Sequence, residues 1–260
     1  MGACGLPKSD ELRNLSLNVV GIVAALAAEA RTLGPTKSAL AQPTALPDGT
    51  LLAVSGIGFA AATRAARALV DAGVAALASW GMAGGLDPAL RAGRIFLPSE
   101  VISMDGTSLP TARRWRERLA AALGAQQPLE GGKLLSSSHA VAAVAEKDAI
   151  FRATGASAVD MESLAIAELA AAEGLPFIAV RVIVDTAHDA LPRAVVEAGR
   201  SGQVQIWRLM AALALAPAEL PAVIRLAQQY RTASRSLISV ARAGSLARFV
   251  FPALSDAGIS

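Results

Sequence analysis

One cysteine, two histidines and one tyrosine are all that 260 residues supply of three side chains much used in chemistry. The lone Cys4 excludes an internal disulfide and fits a reducing cytoplasm. His139 and His188 are too few for most histidine-rich metal sites, so no metal is expected. Aromatic residues are only 4% of the chain, which argues against nucleic-acid binding through stacked bases. Charge is scarce too, at 17%. The mean hydropathy of +0.46 is high, yet much of it comes from alanine, which is short and favours helices. No apolar run reaches the roughly 18 residues that a spanning helix needs. The start, MGACGLPKSDELRNLSLN, lacks the basic flank and apolar stretch of a signal peptide. Leu6 stands where a myristoylation signal has Ser or Thr. The expectation is a soluble, cytoplasmic chain.

What is present is an alternation of apolar runs and amphipathic helices. Leu17–Ala25 reads as a buried strand followed by a short helix over Ala28–Leu33. Leu51–Val54 is a second strand, turning through Ser55-Gly56-Ile57-Gly58 into a helix over Ala60–Asp71. Val74–Trp80 is a third, ending in a turn at Gly81-Met82-Ala83-Gly84-Gly85. Arg94–Ser103 is a fourth, interrupted by Pro98, which cannot donate to a ladder. Helices at Thr111–Leu123 and Val141–Phe151 flank a short strand at Lys133–Ser136. A helix over Met161–Glu173 and the β-branched strand Phe177–Val184 follow. Leu209–Ala216 reads as a core helix segment. This order predicts a three-layer α/β/α sandwich on a mixed, mainly parallel central sheet. The chain divides into a disordered tail (1–16), a catalytic domain (17–215) and a basic helical extension (216–260).

In open α/β sheets, ligands gather where strand ends meet helix N-termini. Glu29, Asp185 and the Asp160-Met161-Glu162 tripeptide all stand at such places, as do the glycines of Ser55–Gly58 and Gly81–Gly85. Three acids so placed can converge on one pocket. Taken singly, Asp160 and Asp185 also read as helix caps and Glu29 as a solvated first-turn acid.

The set taken together resembles a known family. The segments VGIVAALAAEA (Val20–Ala30), SGIG (Ser55–Gly58), GMAGGL (Gly81–Leu86), AVDMESLAIA (Ala158–Ala167) and VRVIVD (Val180–Asp185) resemble the nucleoside phosphorylase superfamily in order and spacing. Within it they look most like the methylthioadenosine/adenosylhomocysteine nucleosidases. The alanine-rich helix and the C-terminal segment also resemble the hopanoid-associated phosphorylases, which remove adenine from adenosylhopane.

The resemblance implies a purine nucleoside cleaved at its N-glycosidic bond. It gives Glu162 the ribose hydroxyls, Met161 the face of the sugar, and Asp185 the proton for purine N7. Glu29 matches the carboxylate that activates water, and Gly84 and Gly85 the turn passing close to ribose and nucleophile. A homo-oligomer is implied as well. The chemistry agrees: the ribosyl cation forming in the transition state favours nearby carboxylates, and the departing base needs a protonated acid.

One departure bears on the nucleophile. Met82 stands where the family has a Ser or Thr that helps hold phosphate, and Ser79-Trp80 replace a phosphorylase arginine. Arg31, Arg64 and Arg91 are other candidates for a phosphate clamp. Phosphorolysis, with inorganic phosphate as co-substrate, and hydrolysis both stay open.

Other readings are weaker. Gly56-Ile57-Gly58-Phe59-Ala60-Ala61 fits a dinucleotide fingerprint, but the following strand ends without an acid for a ribose hydroxyl. Ser136-Ser137-Ser138-His139 with Asp185 would make a serine hydrolase, yet no G-x-S-x-G elbow exists. A nucleoside-binding protein without catalysis is the non-enzymatic reading. The C-terminal segment predicts a helix over Leu220–Ala243, with Leu226, Tyr230, Ala233, Leu237 and Ala241 on one side and Arg231, Arg235 and Arg242 on another. It packs on the core or a second subunit, or it lies on an anionic membrane surface.

Overall fold

The structure, a computed structural model, describes residues 19–35, 39–124, 129–192, 196, 220–244 and 246. The expected tail over 1–16, the onset of the first strand at Leu17, Cys4 and the segment Leu209–Ala216 lie outside these residues.

Among the described residues, eleven strands form one sheet. They are β1 (Val20–Ala24), β2 (Thr44–Ala45), β3 (Leu51–Val54), β4 (Ala76–Gly85), β5 (Ile95–Phe96), β6 (Glu100–Ile102), β7 (Ser108–Pro110), β8 (Leu129–Glu130), β9 (Lys133–Ser136), β10 (Ala156–Asp160) and β11 (Phe177–Asp185). The α-helices bounded within the described residues are α1 (Ala27–Ala30), α2 (Phe59–Asp71), α3 (Arg113–Leu123), α4 (Val144–Thr154), α5 (Ser163–Ala172) and α6 (Leu220–Ala243). The main path through the sheet runs β2-β3-β1-β4-β10-β9-β6-β7, and β11 lies against β4. Parallel pairs join β1 to β3 and β4, and β4 to β11, while β10 meets β4 antiparallel. The sheet is therefore mixed and mainly parallel, as the sequence predicts.

Both faces of the sheet are buried, which explains the unbroken apolar runs. Ile22, Leu52, Ala78 and Val180 face one side, with Leu119 of α3 and Ala233, Leu237 and Val240 of α6. Their neighbours Val23, Ala53, Leu77 and Ala179 face the other, with Ala62, Ala66 and Leu69 of α2 and Ile166 of α5. This period-2 switch between two helical layers is the three-layer sandwich. Pro98 separates β5 from β6, as expected of a residue without an N–H.

Two features differ from expectation, and a third decides between readings left open. The glycine run after Trp80 is no turn: β4 continues through it to Gly85. Ala156–Asp160, short and rich in small residues, is a strand ahead of its helix. And α6 is integral to the fold: Ala233, Leu237 and Val240 are fully buried, and Ser236 Oγ donates 2.8 Å to the Gly93 carbonyl. Of the two readings of this helix, packing on the core holds. No helix among the described residues is long and apolar enough to cross a membrane.

The sheet forks at β4. β11 runs along one edge of β4 for most of its length. On the other edge β1 pairs with Ala76–Trp80 and β10 with Gly84 and Gly85. Between them, Gly81–Ala83 has no strand partner on that edge. The segments leaving β1 and β10 enter this gap, and they carry the acids.

Candidate active site

Glu29 sits in the short helix that follows β1. Its Oε2 accepts the Leu26 N–H at 3.0 Å, the reach-back bond of a helix-start acid. Its Oε1 crosses the gap and accepts the Met82 N–H at 2.8 Å, the very donor that the fork leaves without a strand. Glu29 is 4% exposed, so it is not a solvated first-turn acid. Burial raises its pKa, against the lowering pull of the Arg181 guanidinium and these two N–H donors.

Glu162 precedes α5, and its Oε1 accepts the Gly58 N–H at 2.8 Å. The N-terminus of α2, where a dinucleotide phosphate would sit, is thus taken by a carboxylate of the chain itself. Burial, and then the neighbouring Asp160 charge, push the Glu162 pKa up to about 7. Asp160 is both a cap and an anchor. It accepts the Ser163 N–H at the start of α5 and takes Arg181 Nε at 2.9 Å and Nη2 at 2.6 Å. Arg181 Nη2 also reaches Ser79 Oγ at 2.6 Å and Ser163 Oγ at 2.9 Å. One buried arginine therefore stands among Glu29, Asp160 and Glu162, three acidic groups to one basic. Such a pocket favours a substrate that becomes cationic.

Asp185 ends β11 and is no helix cap. Burial raises its pKa, while Lys147 opposes that rise. Lys147, fully buried on α4, donates to Asp185 Oδ2, and to the carbonyls of Thr186 and Asp189 at 2.8 Å each. Asp185 is thereby bound to lysine and not to His139, whose ring pairs with Glu146 at 2.8 Å. The serine-hydrolase set does not assemble.

Glu29, Met82, Gly84, Met161, Glu162 and Asp185 all line one cavity of about 320 Å³. Its remaining wall is largely apolar and includes Val141, Val184, Leu191, Leu226 and Tyr230. Gly85 does not line it: a Cβ there would lie 3.1 Å from the Asp185 carbonyl, so its place is behind the acid. The tight glycine is Gly81, where a Cβ would fall 2.5 Å from Glu29 Oε1. Arg31, Arg64 and Arg91 are exposed and absent from the wall, as is the exposed His188.

Sequence reasoning gave no role to Arg181 or Lys147. A lone Arg inside FIAVRVIV is a usable signal, since a buried guanidinium must find carboxylates. Lys147 in VAEKDAIF gives none, because it looks like ordinary helix-surface charge.

The family model of the phosphorylase superfamily matches residues 48–214. The chain belongs to this superfamily, and it is an enzyme acting on nucleosides. A search of curated protein sequences gave no match. Among solved structures, the methylthioadenosine/S-adenosylhomocysteine nucleosidase of Neisseria meningitidis, complexed with methylthio-immucillin-A, superposes with a TM-score of 0.66 at 19% identity, over 90% of this chain and 99% of that one. The corresponding Helicobacter pylori nucleosidase gives 0.62 at 17% identity, over 86% and 97%. The futalosine hydrolase of Helicobacter pylori gives 0.62 at 17%, again over 86% and 97%. At these identities the likeness is one of fold.

Proposed function

We propose that this chain hydrolyses the N-glycosidic bond of an adenine nucleoside. The observation that carries the reading is the convergence of Glu29, Glu162 and Asp185, all buried, on one cavity. As the C1′–N9 bond breaks, its electron pair leaves with the base and Asp185 supplies the proton at N7. Glu162 accepts hydrogen bonds from the ribose hydroxyls, and the carboxylate excess stabilises the cationic sugar. Glu29 takes a proton from the water that attacks C1′.

The charge of the wall supports water over phosphate as the nucleophile in this reading. Among the described residues, no Lys or Arg lines the cavity, and Arg181 is turned to Asp160, Ser79 and Ser163. Among the described residues, a phosphate dianion would meet carboxylates with no lysine or arginine on the wall to offset them. The similar nucleosidases and futalosine hydrolase are consistent with this reading.

We assign the 5′ substituent as apolar, and adenosylhopane as the substrate. The sequence resemblance names it, and the apolar wall of Val141, Leu191, Leu226 and Tyr230 supports it. Leu220 and Ile224, exposed on the first turns of α6, offer apolar surface for a lipid tail.

The test is adenine release from adenosylhopane, methylthioadenosine and adenosine, each with and without phosphate. Adenine is expected from adenosylhopane, at a rate phosphate does not change. Phosphate-dependent release would replace hydrolysis by phosphorolysis. Preference for methylthioadenosine would make this a general nucleosidase, and no release from any of them overturns the enzymatic proposal.

A further inference from the structure

Among the described residues, Lys147 is the one buried cation that touches an acid of the cavity wall without belonging to the Arg181 cluster. It sits on the first turn of α4 with no exposure to solvent. Its Nζ meets three acceptors: Asp185 Oδ2, and the Thr186 and Asp189 carbonyls at 2.8 Å each. Three acceptors match the three hydrogens of an ammonium. A neutral amine, with two, would leave a buried acceptor unserved. The geometry therefore selects the charged form, and among the described residues Asp185 is its acidic partner.

We propose that Lys147 is a positioning residue for Asp185: its ammonium holds the carboxyl group through Oδ2 and stabilises the carboxylate left when that group protonates the departing base. This rests on the reaction proposed above. The proton balance is simple. The Oδ1–H bond of Asp185 breaks, its proton goes to N7, and the C1′–N9 electron pair stays on the base. Lys147 loses no proton; its charge offsets the one that appears on Asp185. In the resting pocket the same contact moderates the rise that burial imposes on Asp185. A tether for the turn at Thr186–Asp189 would need only the two carbonyl contacts. The third bond, to a carboxyl group on the cavity wall, gives the lysine a consequence for chemistry.

The test is Lys147→Met, assayed on an adenine nucleoside and on 4-nitrophenyl riboside, whose leaving group departs without a proton. Adenine release is expected to fall ~10²-fold, the scale of general-acid assistance, with nitrophenol release changed less than about threefold. The alkaline limb of kcat/KM for adenine release should also move to higher pH, because Asp185 without its cation is a weaker acid. Equal losses on both substrates, or an unmoved limb, overturn the proposal. Since Lys147→Met takes away the charged partner of Asp185, a second comparison starts from a chain in which residue 185 can no longer ionise. Asp185→Asn and Asp185→Asn/Lys147→Met should release adenine at rates within about twofold, because contacting residues that act as one unit are not additive. A further tenfold loss in the double variant would show that Lys147 acts elsewhere. Failure of the parent enzyme on both substrates is a different result, one that removes the reaction itself and the proposal with it.

Discussion

Glu29 and Gly81 fit together only because residue 81 has no side chain. A Cβ there would stand 2.5 Å from Glu29 Oε1 and 2.7 Å from Arg181 Nη1. Both neighbours are buried and held by hydrogen bonds, so neither yields freely.

Gly81→Ala is therefore expected to displace Glu29 from the Met82 N–H. A misplacement of about 1 Å can lower turnover ~10²-fold, and overpacking costs about 1–3 kcal/mol of stability. Steady-state kinetics with urea unfolding checks both. Wild-type turnover in a folded Gly81→Ala chain would show that the position of Glu29 is immaterial.

Glu29→Gln keeps the shape and removes the base. On the proposed reaction, kcat falls by ~10²–10⁴ while KM stays near its parental value, since the sugar contacts fall to Glu162. Quantifying adenine release and binding separately distinguishes the two. A variant that hydrolyses normally would remove Glu29 from the mechanism.

Glu162 makes stability depend on pH with a defined sign. Its folded pKa of about 7 lies above the ordinary 4.5. Between these values the unfolded chain releases the proton and the folded chain keeps it. Stability from this group is thus full below 4.5 and is lost as pH rises towards 7, by about 3 kcal/mol in all. Glu162→Gln should match the parent in Tm near about pH 4 and exceed it near about pH 8. Parallel Tm curves across that range would contradict the assignment.

Gly93 couples α6 to the sheet. Its φ is +86°, and a Cβ would meet Thr232 Cγ2 at 2.7 Å. Gly93→Ala should push α6 outward and move Leu226 and Tyr230 from the cavity wall, raising KM more than it lowers kcat. Overpacking and strain together should cost about 1–3 kcal/mol. Adding Thr232→Ser, which deletes the clashing methyl, should restore part of both. No recovery in the double variant would place the defect elsewhere.

Much of this was legible in the residues because it depends on local pattern. FIAVRVIV is β-branched and apolar, and it is a strand over Phe177–Asp185. Ala233 and Leu237, one turn apart, placed the buried side of the C-terminal helix. What escaped depends on distant partners. Gly81–Gly85 looked like a turn because glycines usually mark one, yet here they extend a strand and clear space for Glu29 and Asp185. Ala156–Asp160 lacks the bulk that signals a strand and gains its pairing from β9 and β4. Lys147 stands 38 residues from Asp185, and nothing in its helix announces the contact.

The fork in the sheet bears on which changes the chain can accept. Glu29 is anchored by a main-chain N–H that every residue except proline carries. The identity of residue 82 is free to drift without releasing that acid. Methionine at this place, the departure from the family pattern, thus leaves the anchor whole. Met82→Ser should keep Glu29 where it is, whereas Met82→Pro should release it. Inheritance can rewrite the wall of this pocket around a fixed point that no side chain encodes.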